Sequence, residues 1–369
     1  MAISRPATLP AITGQLVYAL AGTNLVTFDS AQPGLIRTAT GITGVDASQT
    51  LVGLDVRPLN NALYALGYNA TAQTAQLYTI NGTTGVATPT SGVFALALGT
   101  GSIGFDFNPT VDRIRVVGAN RNNFRLNPVT GTLAATDGPV AYTTGTNTPT
   151  IGAVAYTNSF TGASSTTGTT LYNYDEALNL LNTQSTANPP ADGQLTTVGS
   201  SGIVANTNPA NVDLDIYSTG VGINSAYMVA TTGTSANSNF YTVNLTTGAA
   251  TAVGAIGNGI TVRDIAVAAA TGVTTGTRDR EEVAGLGLYP NPVTAETRVA
   301  FTLASAAQVT LVVTDALGRQ VDRIEAGRLG AGTQAVRWNN TSDLRQGVYF
   351  FQLLLDGKSA GTQRGVLLN

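Results

Sequence analysis

Histidine and cysteine are absent from this sequence of 369 residues, and that absence removes several kinds of chemistry. Without them there can be no Ser-His-Asp triad, no cysteine nucleophile, no zinc site built on thiolates and no disulfide. A metal site would have to use oxygen ligands, which favours a hard cation such as Ca²⁺ over Zn²⁺ or Cu²⁺. The composition indicates no other cofactor.

Charged side chains are also scarce. Asp, Glu, Lys and Arg make up 11% of the chain, against about a quarter in an average globular protein. The formal net charge of -3 argues against nucleic acid as a partner. Gly, Thr, Ser and Asn supply the polar positions instead, which is typical of an extracellular protein rich in β-strands. No apolar run reaches the roughly 18 residues of a transmembrane helix.

The charges are unevenly distributed along the chain. Residues 1–276 hold 8 basic and 12 acidic side chains, and residues 277–369 hold 10 and 9. Between the two parts, a stretch of small and polar residues without an apolar period ends in a charged run, as linkers do. The sequence therefore predicts an N-terminal extension over 1–13, a large domain over 14–270, a linker over 271–285 and a small domain over 286–369.

The large domain contains an internal repeat of four short strands. A copy begins with an apolar strand, continues with two alternating strands and in most cases closes with a strand after a Thr-Gly turn. The first strand occurs five times, at Leu51–Val56, Ile103–Phe107, Ile151–Tyr156, Val212–Ile216 and Val262–Val267. Four strands per repeat, at a spacing of about 50 residues, predict an all-β fold, a β-propeller with five blades. Six blades are the alternative, because the stretch 157–211 is long.

The two ends of the large domain are incomplete in complementary ways. Only three predicted strands, at 15–20, 24–28 and 34–38, precede the first full copy, and only the linker follows the last first-strand copy. Combining both ends completes one blade, closes the ring and pairs strand edges that would otherwise be exposed. A β-sandwich or an open solenoid is the other interpretation, but neither explains this complementarity.

Two stretches of the large domain carry a longer signature. They are Gly104–Val117 with Asn123–Gly131, and Thr170–Tyr172 with Gln184, Asn188–Pro190 and Asp192–Gly199. This pattern resembles an uncharacterised family of bacterial domains, a domain of unknown function for which a secreted propeller is expected. The resemblance covers nearly all of 14–270 and implies export, but it brings no activity and no catalytic residue.

The small domain carries a second set of motifs. They form a Tyr-Pro-Asn-Pro run, a turn after an apolar strand, a Gly-Val-Tyr strand and a late arginine, at Tyr289, Pro290, Asn291, Pro292, Asp315, Gly318, Arg319, Gly347, Tyr349 and Arg364. This set resembles the type A C-terminal sorting domain of the type IX secretion system of Bacteroidetes-type bacteria. The resemblance implies a small Ig-like β-sandwich, and the alternating strands and the single tryptophan, Trp338, suit such a core. An unrelated Ig-like adhesion module is the other interpretation.

The same resemblance implies a route and partners. The outer-membrane translocon reads the sorting domain, and a surface sortase cleaves it, so that the passenger is released or joined to surface lipopolysaccharide. A Sec signal peptide is required first, but Met1–Pro10 contains no apolar segment of that kind. Taken alone, this start predicts a cytoplasmic protein. A signal that has been removed explains it equally, and the sorting motifs favour a secreted or cell-surface location.

Three aspartates recur at one position of the repeated first strand: Asp55, Asp106 and Asp215. In a propeller this strand lines the central channel, so several such carboxylates are expected to face one another. One interpretation is a ligand site, either for a cation such as Ca²⁺ or for paired carboxylates that cleave a glycoside. The other is that each Asp caps a turn or bonds neighbouring backbone N–H groups, and recurs because the blades recur. Ala155 and Ala266 replace it in the other copies.

Four arginines form the basic cluster of the large domain: Arg113, Arg115, Arg121 and Arg125. Strand alternation places Arg113 and Arg115 on one face, where their guanidinium groups could bind a carboxylate or sulfate of a glycan. The alternative is a structural network with aspartates such as Asp112, and we favour it.

Two classes of function fit these features. The first is a secreted or cell-surface protein without catalytic activity, which binds a glycan or a surface protein, or self-assembles, after type IX export. The second is a secreted polysaccharide hydrolase or lyase that uses the channel carboxylates. The absence of His, of Cys and of a nucleophile elbow favours the first, although catalysis by carboxylates alone stays open.

Overall fold

The computed structural model describes residues 9–186, 191–206, 211–268, 284–293, 296–303, 305–315, 319–339, 346–355 and 358–367. Gly318, the predicted linker up to residue 283 and residues 1–8 lie outside them. The chain divides into two compact units, Met1–Gly272 and Val273–Asn369. Strands dominate both, and the described helical segments are two short 3-10 turns, Ala191–Gly193 and Ile256–Asn258. No helix in the described ranges is long and apolar enough to cross a membrane.

The strands of the first unit, numbered along the chain, form five sheets that are almost entirely antiparallel. In order of pairing, sheet 1 contains β22 (Asp264–Ala268), β1 (Leu16–Ala21), β2 (Asn24–Asp29) and β3 (Gln32–Gly41). Sheet 2 contains β4 (Thr50–Arg57), β5 (Ala62–Asn69), β6 (Thr74–Ile80) and β7 (Ala87–Pro89), with the short β8 (Phe94–Ala95) also paired to β6. Sheet 3 contains β9 (Gly104–Asn108), β10 (Arg113–Val117), β11 (Asn123–Asn127) and β12 (Thr132–Asp137).

The remaining two sheets of this unit follow the same plan. Sheet 4 contains β14 (Ile151–Tyr156), β15 (Leu171–Asp175), β16 (Leu180–Gln184) and β17 (Gln194–Ser200), with β13 (Ala141–Tyr142) parallel to β17 at the edge. Sheet 5 contains β18 (Val212–Gly220), β19 (Ile223–Thr231), β20 (Ser238–Val243) and β21 (Ala250–Ala255). The long stretch 157–211 thus supplies a loop and three strands to sheet 4.

Each sheet has one strand at its inner end: β4, β9, β14, β18 or β22. These five inner strands contact one another in a closed cycle, from β4 to β9, β14, β18, β22 and back to β4. Every residue of β14 is buried, whereas the outermost β12 and β21 are mostly exposed. Apolar runs suit strands that are covered on both faces, and small polar residues suit the sheet edges. The result is an all-β, propeller-like arrangement of sheets whose inner strands enclose a narrow central space, which we call the channel.

The two ends of the first unit meet in sheet 1. Strand β22 pairs antiparallel with β1, from Leu16 opposite Ala268 to Leu20 opposite Asp264. The last strand of the unit therefore supplies the inner strand of the sheet that the first three strands begin. Backbone hydrogen bonds replace two edges that would otherwise be free.

Neighbouring inner strands approach each other very closely where glycine stands. A Cβ atom on Gly53 would lie 2.5 Å from the Cβ atom of Phe105, and one on Gly104 would lie 2.8 Å from the backbone nitrogen of Val154. Non-bonded atoms do not come that close, so these two positions require a residue without a side chain.

Apolar clusters fill the spaces between neighbouring sheets, but not equally. Fifteen buried residues, among them Leu66, Phe107 and Leu126, pack between sheets 2 and 3. Of the described residues, seven, among them Val117 and Ile151, form the buried apolar cluster between sheets 3 and 4. The second interface must therefore be completed by other side chains.

The second unit consists of two antiparallel sheets around one core. One sheet has the order β23 (Ala284–Tyr289), β24 (Glu296–Leu303) and β27 (Gly332–Asn339), and the other has β26 (Gln320–Leu329), β25 (Ala307–Asp315), β28 (Gly347–Leu355) and β29 (Lys358–Leu367). Trp338 on β27 contacts Phe351 on β28 edge to face, with ring centroids 5.1 Å apart. The indole N–H donates to the Asp322 carboxylate at 2.8 Å. Trp338 is 1% exposed, so it occupies the core position predicted for it.

Candidate functional site

The channel brings together the three aspartates of the repeated first strand. Asp55 on β4, Asp106 on β9 and Asp215 on β18 each place one carboxylate oxygen within 4.8 Å of those of the other two. Their side chains are only 2–5% exposed. Because the three occupy equivalent positions on strands that surround one axis, the repeat itself produces the cluster.

Each of these carboxylates also accepts a hydrogen bond from the next inner strand. Asp55 accepts from the backbone N–H of Phe107 at 2.8 Å, and Asp106 accepts from that of Tyr156 at 2.8 Å. Asp215 accepts from the backbone N–H of Val267. The partners lie about 50 residues apart in sequence, so the carboxylates link neighbouring sheets as well as facing one another.

Two further aspartates, not singled out from the sequence, form a second layer in the same channel. Asp213 accepts from the backbone N–H of Ile265 at 2.9 Å, and Asp264 accepts from that of Leu54 at 2.8 Å. Asp213 precedes Asp215 by two residues and therefore points to the same face of β18. The Asp-x-Asp spacing in that strand was a signal that could have identified it. We call Asp55, Asp106, Asp213, Asp215 and Asp264 the channel carboxylates.

The channel makes these groups weak acids. Burial raises the pKa of Asp55 and Asp106 well above the ordinary value, and the charges of neighbouring carboxylates raise it further. Burial likewise raises the pKa values of Asp213 and Asp264, and it raises the pKa of Asp215 to about 6. None of the salt bridges among the described residues reaches a channel carboxylate. Among the described residues, these five acidic groups are thus concentrated in one place without a salt bridge to a basic side chain.

A cleft of about 320 Å³ opens beside the ends of the inner strands, next to Val56 and Val267. Its wall combines two aromatic rings with neutral polar groups, from Asn61, Ser159, Phe160, Thr161, Tyr217 and Thr219. The hydroxyl of Thr161 donates to the carbonyl oxygen of Pro58 at 2.9 Å, so the loop after β14 reaches sheet 2 here. None of the lining residues is charged, and such a wall suits a neutral ligand rich in hydroxyl groups.

The four arginines of the basic cluster do not converge on one site. Arg115 is buried and donates to Asp137 and to Asn123, both at 2.6 Å. Arg125 donates to the other oxygen of Asp137, also at 2.6 Å. These two arginines hold a buried carboxylate between them, which is the structural arrangement that we favour.

The other two arginines lie at opposite ends of β10, Arg113 as its first residue and Arg121 in the turn that follows it. Arg113 donates to the carbonyl oxygen of Asp112 at 2.8 Å. Arg121 adopts a φ of +71° in the turn before β11, and its carbonyl oxygen accepts from the backbone N–H of Val140. The carboxylate of Asp112 pairs with Arg57 on β4. Arg113 and Arg115 therefore share a strand but have separate surroundings.

The Arg115 network continues into sheet 4. Asn123 and Gln184 both donate to the carbonyl oxygen of Asp192, at 3.4 and 3.0 Å, and the amide of Asn173 donates to Gln184 at 2.8 Å. The hydroxyl of Tyr142 donates to Asp175 at 2.7 Å. We call this set the polar interface, comprising Arg115, Asn123, Arg125, Asp137, Tyr142, Asn173, Asp175, Gln184 and Asp192. Its side chains fill the part of the space between sheets 3 and 4 that the small apolar cluster does not occupy.

One buried acid gave no signal in the sequence. Glu176 lies in the turn after β15, and one of its carboxylate oxygens has no hydrogen-bond partner within the described part of the chain. A Cβ atom on Gly152 of β14 would lie 2.5 Å from that oxygen. Burial raises the pKa of Glu176 to about 7.

In the second unit, the first and last sorting motifs lie together. The side-chain amide of Asn291 donates to the carbonyl oxygen of Arg364 at 3.0 Å, and its oxygen accepts from the backbone N–H of Val366 at 3.2 Å. Tyr289 is 80% exposed, and Pro292 and Arg364 are exposed as well. Pro290 is half-buried. The exposed members form a patch at the end of β23 beside β29.

The remaining described motif residues have structural surroundings. The guanidinium of Arg319 donates to the carboxylate of Asp315 at 2.8 Å and closes the turn between β25 and β26. Tyr349 is buried opposite Gly365, and Gly347 begins β28. These residues shape the sandwich, whereas the patch beside β29 is accessible to a partner.

Comparison with known families agrees with both resemblances. The family profile of Domain of unknown function (DUF4394) matches residues 24–266. The chain belongs to this family. A second profile, that of the secretion system C-terminal sorting domain, matches residues 287–366. The predicted combination of the two is confirmed. The sorting tail marks this DUF4394 protein for type IX export to the cell surface or medium and implies an interaction with that machinery.

Among curated proteins there is no match to this DUF4394 protein. Solved structures with a similar course of the chain share little sequence with it. An exo-beta-1,3-galactanase from Phanerochaete chrysosporium is 12% identical, with 99% of this chain and 97% of that one covered and a TM-score of 0.37. PorZ, a surface component of the type IX secretion system of Porphyromonas gingivalis, is 12% identical, with 98% and 75% covered and a TM-score of 0.29. A putative 6-phosphogluconolactonase from Bacteroides fragilis is 15% identical, with 69% and 71% covered and a TM-score of 0.32.

Proposed function

We propose that this protein is a non-catalytic binding protein that type IX secretion delivers to the cell surface or the medium. The observation that carries the proposal is the succession of a DUF4394 domain and a sorting tail in one chain. In this proposal, residues 14–270 form a five-bladed propeller, 271–285 a linker and 286–369 an Ig-like sandwich. The five sheets and the closed cycle of their inner strands support five blades over six.

The cleft beside Val56 and Val267 is the proposed binding site, and a neutral glycan is the proposed ligand. Phe160 and Tyr217 offer aromatic faces for a sugar ring, while Asn61, Ser159 and Thr219 offer hydrogen-bonding groups around it. The absence of charge from the wall favours an uncharged sugar over a sulfated or uronic acid residue. A surface protein or a second copy of the chain is the other class of ligand that the proposal has to compete with.

The state of the channel carboxylates supports binding over catalysis. A glycosidase needs one carboxyl group that protonates the leaving oxygen and another that attacks or activates water, and both must reach the sugar. Asp55, Asp106 and Asp215 are buried, and each already accepts a backbone hydrogen bond from a neighbouring strand. If purified protein released reducing ends from a polysaccharide, and if Asp55→Asn abolished this release without changing thermal unfolding, the hydrolase alternative would replace the proposal.

The export part of the proposal is tested by deletion of residues 286–369. We expect the truncated chain to accumulate in the periplasm, because the translocon and the sortase would have nothing to recognise. Immunoblots of periplasm, cell surface and medium measure the distribution. Normal secretion of the truncated chain would refute the assignment of the sorting domain.

A point substitution refines the export test. Asn291→Ala removes the two hydrogen bonds that join the first sorting motif to β29, so secretion should fall. Arg323→Ala is the control, because Arg323 is exposed, its salt bridge with Glu325 lies on the surface, and its strand β26 is at the sheet edge opposite β29. Equal secretion of both variants would show that the translocon does not need the motif patch to recognise the sorting domain.

The binding part is tested on a glycan array with the full chain. Phe160→Ala should weaken any glycan signal by about five- to thirtyfold, since about 1–2 kcal/mol of aromatic contact is lost. Val129→Ala is the matched control, because Val129 is exposed in a turn of sheet 3 and does not line the cleft. An array without signal, together with capture of a surface protein or concentration-dependent oligomers, would overturn the glycan assignment and leave export untouched.

A further inference from the structure

We propose that the channel carboxylates form a binding site for one hard cation, with Ca²⁺ as the expected ion. The inference is independent of the ligand proposed for the cleft. It concerns the interior of the channel, where inner strands from different sheets meet.

The first argument is the spacing of the oxygens. Asp55, Asp106 and Asp215 each offer one carboxylate oxygen, and these three oxygens lie within 4.8 Å of one another. Bonds from Ca²⁺ to oxygen are about 2.3–2.6 Å long, so oxygens on opposite sides of one ion are about 5 Å apart. A single ion between the three can therefore contact all of them.

The second argument is a buried carboxylate oxygen, Oδ1 of Asp213, that lacks a good hydrogen-bond donor. Oδ1 of Asp213 is buried and has no partner of good hydrogen-bond geometry among the described residues, although the backbone N–H of the adjacent Leu214 interacts with this carboxylate, whereas Oδ2 accepts from Ile265. Asp213 is 2% exposed and lies on the channel face of β18, beside Asp215. Buried oxygens without a partner are rare because the lost hydration is costly, and an ion in the channel supplies what is missing.

The third argument is the identity and the fixed position of the ligands. All five groups are carboxylates, which hard cations prefer, and each accepts a backbone hydrogen bond from another inner strand. Ligands that are tied to separate strands cannot easily contract around a small ion. Mg²⁺ needs bonds of about 2.0–2.1 Å in near-ideal octahedral geometry, so the larger and more tolerant Ca²⁺ is favoured.

The test uses the purified full chain, stripped of metal with a chelator and then dialysed. Addition of Ca²⁺ should load one ion per chain, measured by mass spectrometry of the metal content. The unfolding temperature of the first unit should rise by about 5–10 °C when Ca²⁺ exceeds its Kd a hundredfold. The single tryptophan, Trp338, lies in the second unit, so the transition seen by its fluorescence should stay constant and serves as an internal reference.

Three variants locate the ion. Asp106→Asn and Asp215→Asn keep the side-chain shape but remove charge from two of the three clustered ligands, so both should lose the bound ion and the thermal shift. Asp29→Asn is the control: Asp29 is also buried and accepts from the backbone N–H groups of Thr13, Gly14 and Ala31, but it lies outside the channel. It should retain both readouts even if its own stability falls.

Three outcomes would overturn the proposal. The first is a stripped chain that neither takes up Ca²⁺ nor unfolds at a higher temperature at millimolar Ca²⁺. The second is an ion that persists in both channel variants, which would mark it as adventitious. The third is a shift with Mg²⁺ alone. If a channel variant fails to fold, the other variant and the titration of the unsubstituted chain decide.

Discussion

Sheet 3 contacts two neighbours, and its two faces are packed in different ways. Toward sheet 2 the contact is apolar, with rings such as Phe105 and Phe107 between the strands. Toward sheet 4 it is the polar interface, in which Arg115 donates to Asp137 and Asn123, and Asn123 donates to the carbonyl oxygen of Asp192. Alternation along one strand produces both, because Ile114 and Val116 of β10 point to one side and Arg115 to the other.

Because of this difference, substitutions in the two faces should destabilise the protein in different ways. An apolar contact loses stability in proportion to the volume removed, and its neighbours can relax into part of the gap. A buried polar network depends on every partner, because each lost group leaves another without a hydrogen bond. The apolar contact buries most of the apolar surface. The polar network forms only when the two sheets pack in one particular arrangement.

The largest effect is expected from Arg115→Met. Arg115 is buried to 3% exposure and holds Asp137, Asn123 and the hydroxyl of Tyr156. Its removal leaves buried acceptors without their donor, so the free energy of unfolding should fall by about 3–5 kcal/mol. Denaturant unfolding of the first unit measures this. A loss under about 1 kcal/mol would show that the polar interface contributes no more than a surface pair.

On the apolar face, Leu126→Ala should lower the free energy of unfolding by about 3 kcal/mol through the cavity it leaves. Because no charge is involved, the loss should be the same at pH 5 and pH 8 and at low and high salt. A loss that varies with salt would show that charges also contribute to the stability of the apolar face.

Glu176→Gln tests a buried carboxyl group that lacks an arginine. Burial opposes ionisation of Asp137, but hydrogen bonds from Arg125 and Arg115 outweigh it and hold its pKa below the ordinary value. For Glu176 burial outweighs the opposing effect of a hydrogen bond with Ser102, and together with the charge of Asp175 it raises the pKa to about 7. The folded protein therefore binds this proton more tightly than the unfolded chain does, and the resulting stability is complete below pH about 4.5 and lost as the pH rises through about 7.

Glutamine carries no proton to lose, so Glu176→Gln should stabilise the protein by about 2–3 kcal/mol at pH 8 relative to pH 5. The measurement is the difference in unfolding free energy between variant and parent across this pH range. The channel carboxylates are present in both proteins, so their titration cancels. A difference that does not change with pH would contradict the raised pKa of the buried Glu176 carboxyl group.

The smallest effect is expected from Arg125→Ala. Arg125 is 44% exposed, although it pairs with the same Asp137 as Arg115. Water and salt screen an exposed pair, so the free energy of unfolding should fall by at most about 1 kcal/mol. A loss as large as that of Arg115→Met would show that the two arginines act as one unit.

The regular parts of the fold could be predicted from the sequence. The strand Ile151–Tyr156 has the predicted bounds, and Leu51–Val56 lies within β4. The period of apolar residues marks strands because it reflects burial, which is a local property of the chain. The pairing of β22 with β1 joins residues almost 250 positions apart, yet it was foreseeable because each end lacked what the other supplied.

The site was less predictable, because most of its contacts are not local. The position of Asp55 recurs in Asp106 and Asp215, so their meeting could be anticipated, whereas Asp213 and Asp264 belong to another layer. Arg115 could not be assigned from its strand alone, since its partner Asp137 stands at the end of β12. Glu176 follows a strand at a turn and looks like a solvated residue until the fold buries it.

The pairing of β22 with β1 has a consequence for quality control. The closing strand, Asp264–Ala268, is synthesised late, and the sorting tail follows it at 287–366. A chain that is cut short anywhere before the closing strand also lacks the tail. Chain order alone therefore ensures that the export signal is carried only by molecules that contain every strand needed to complete the ring.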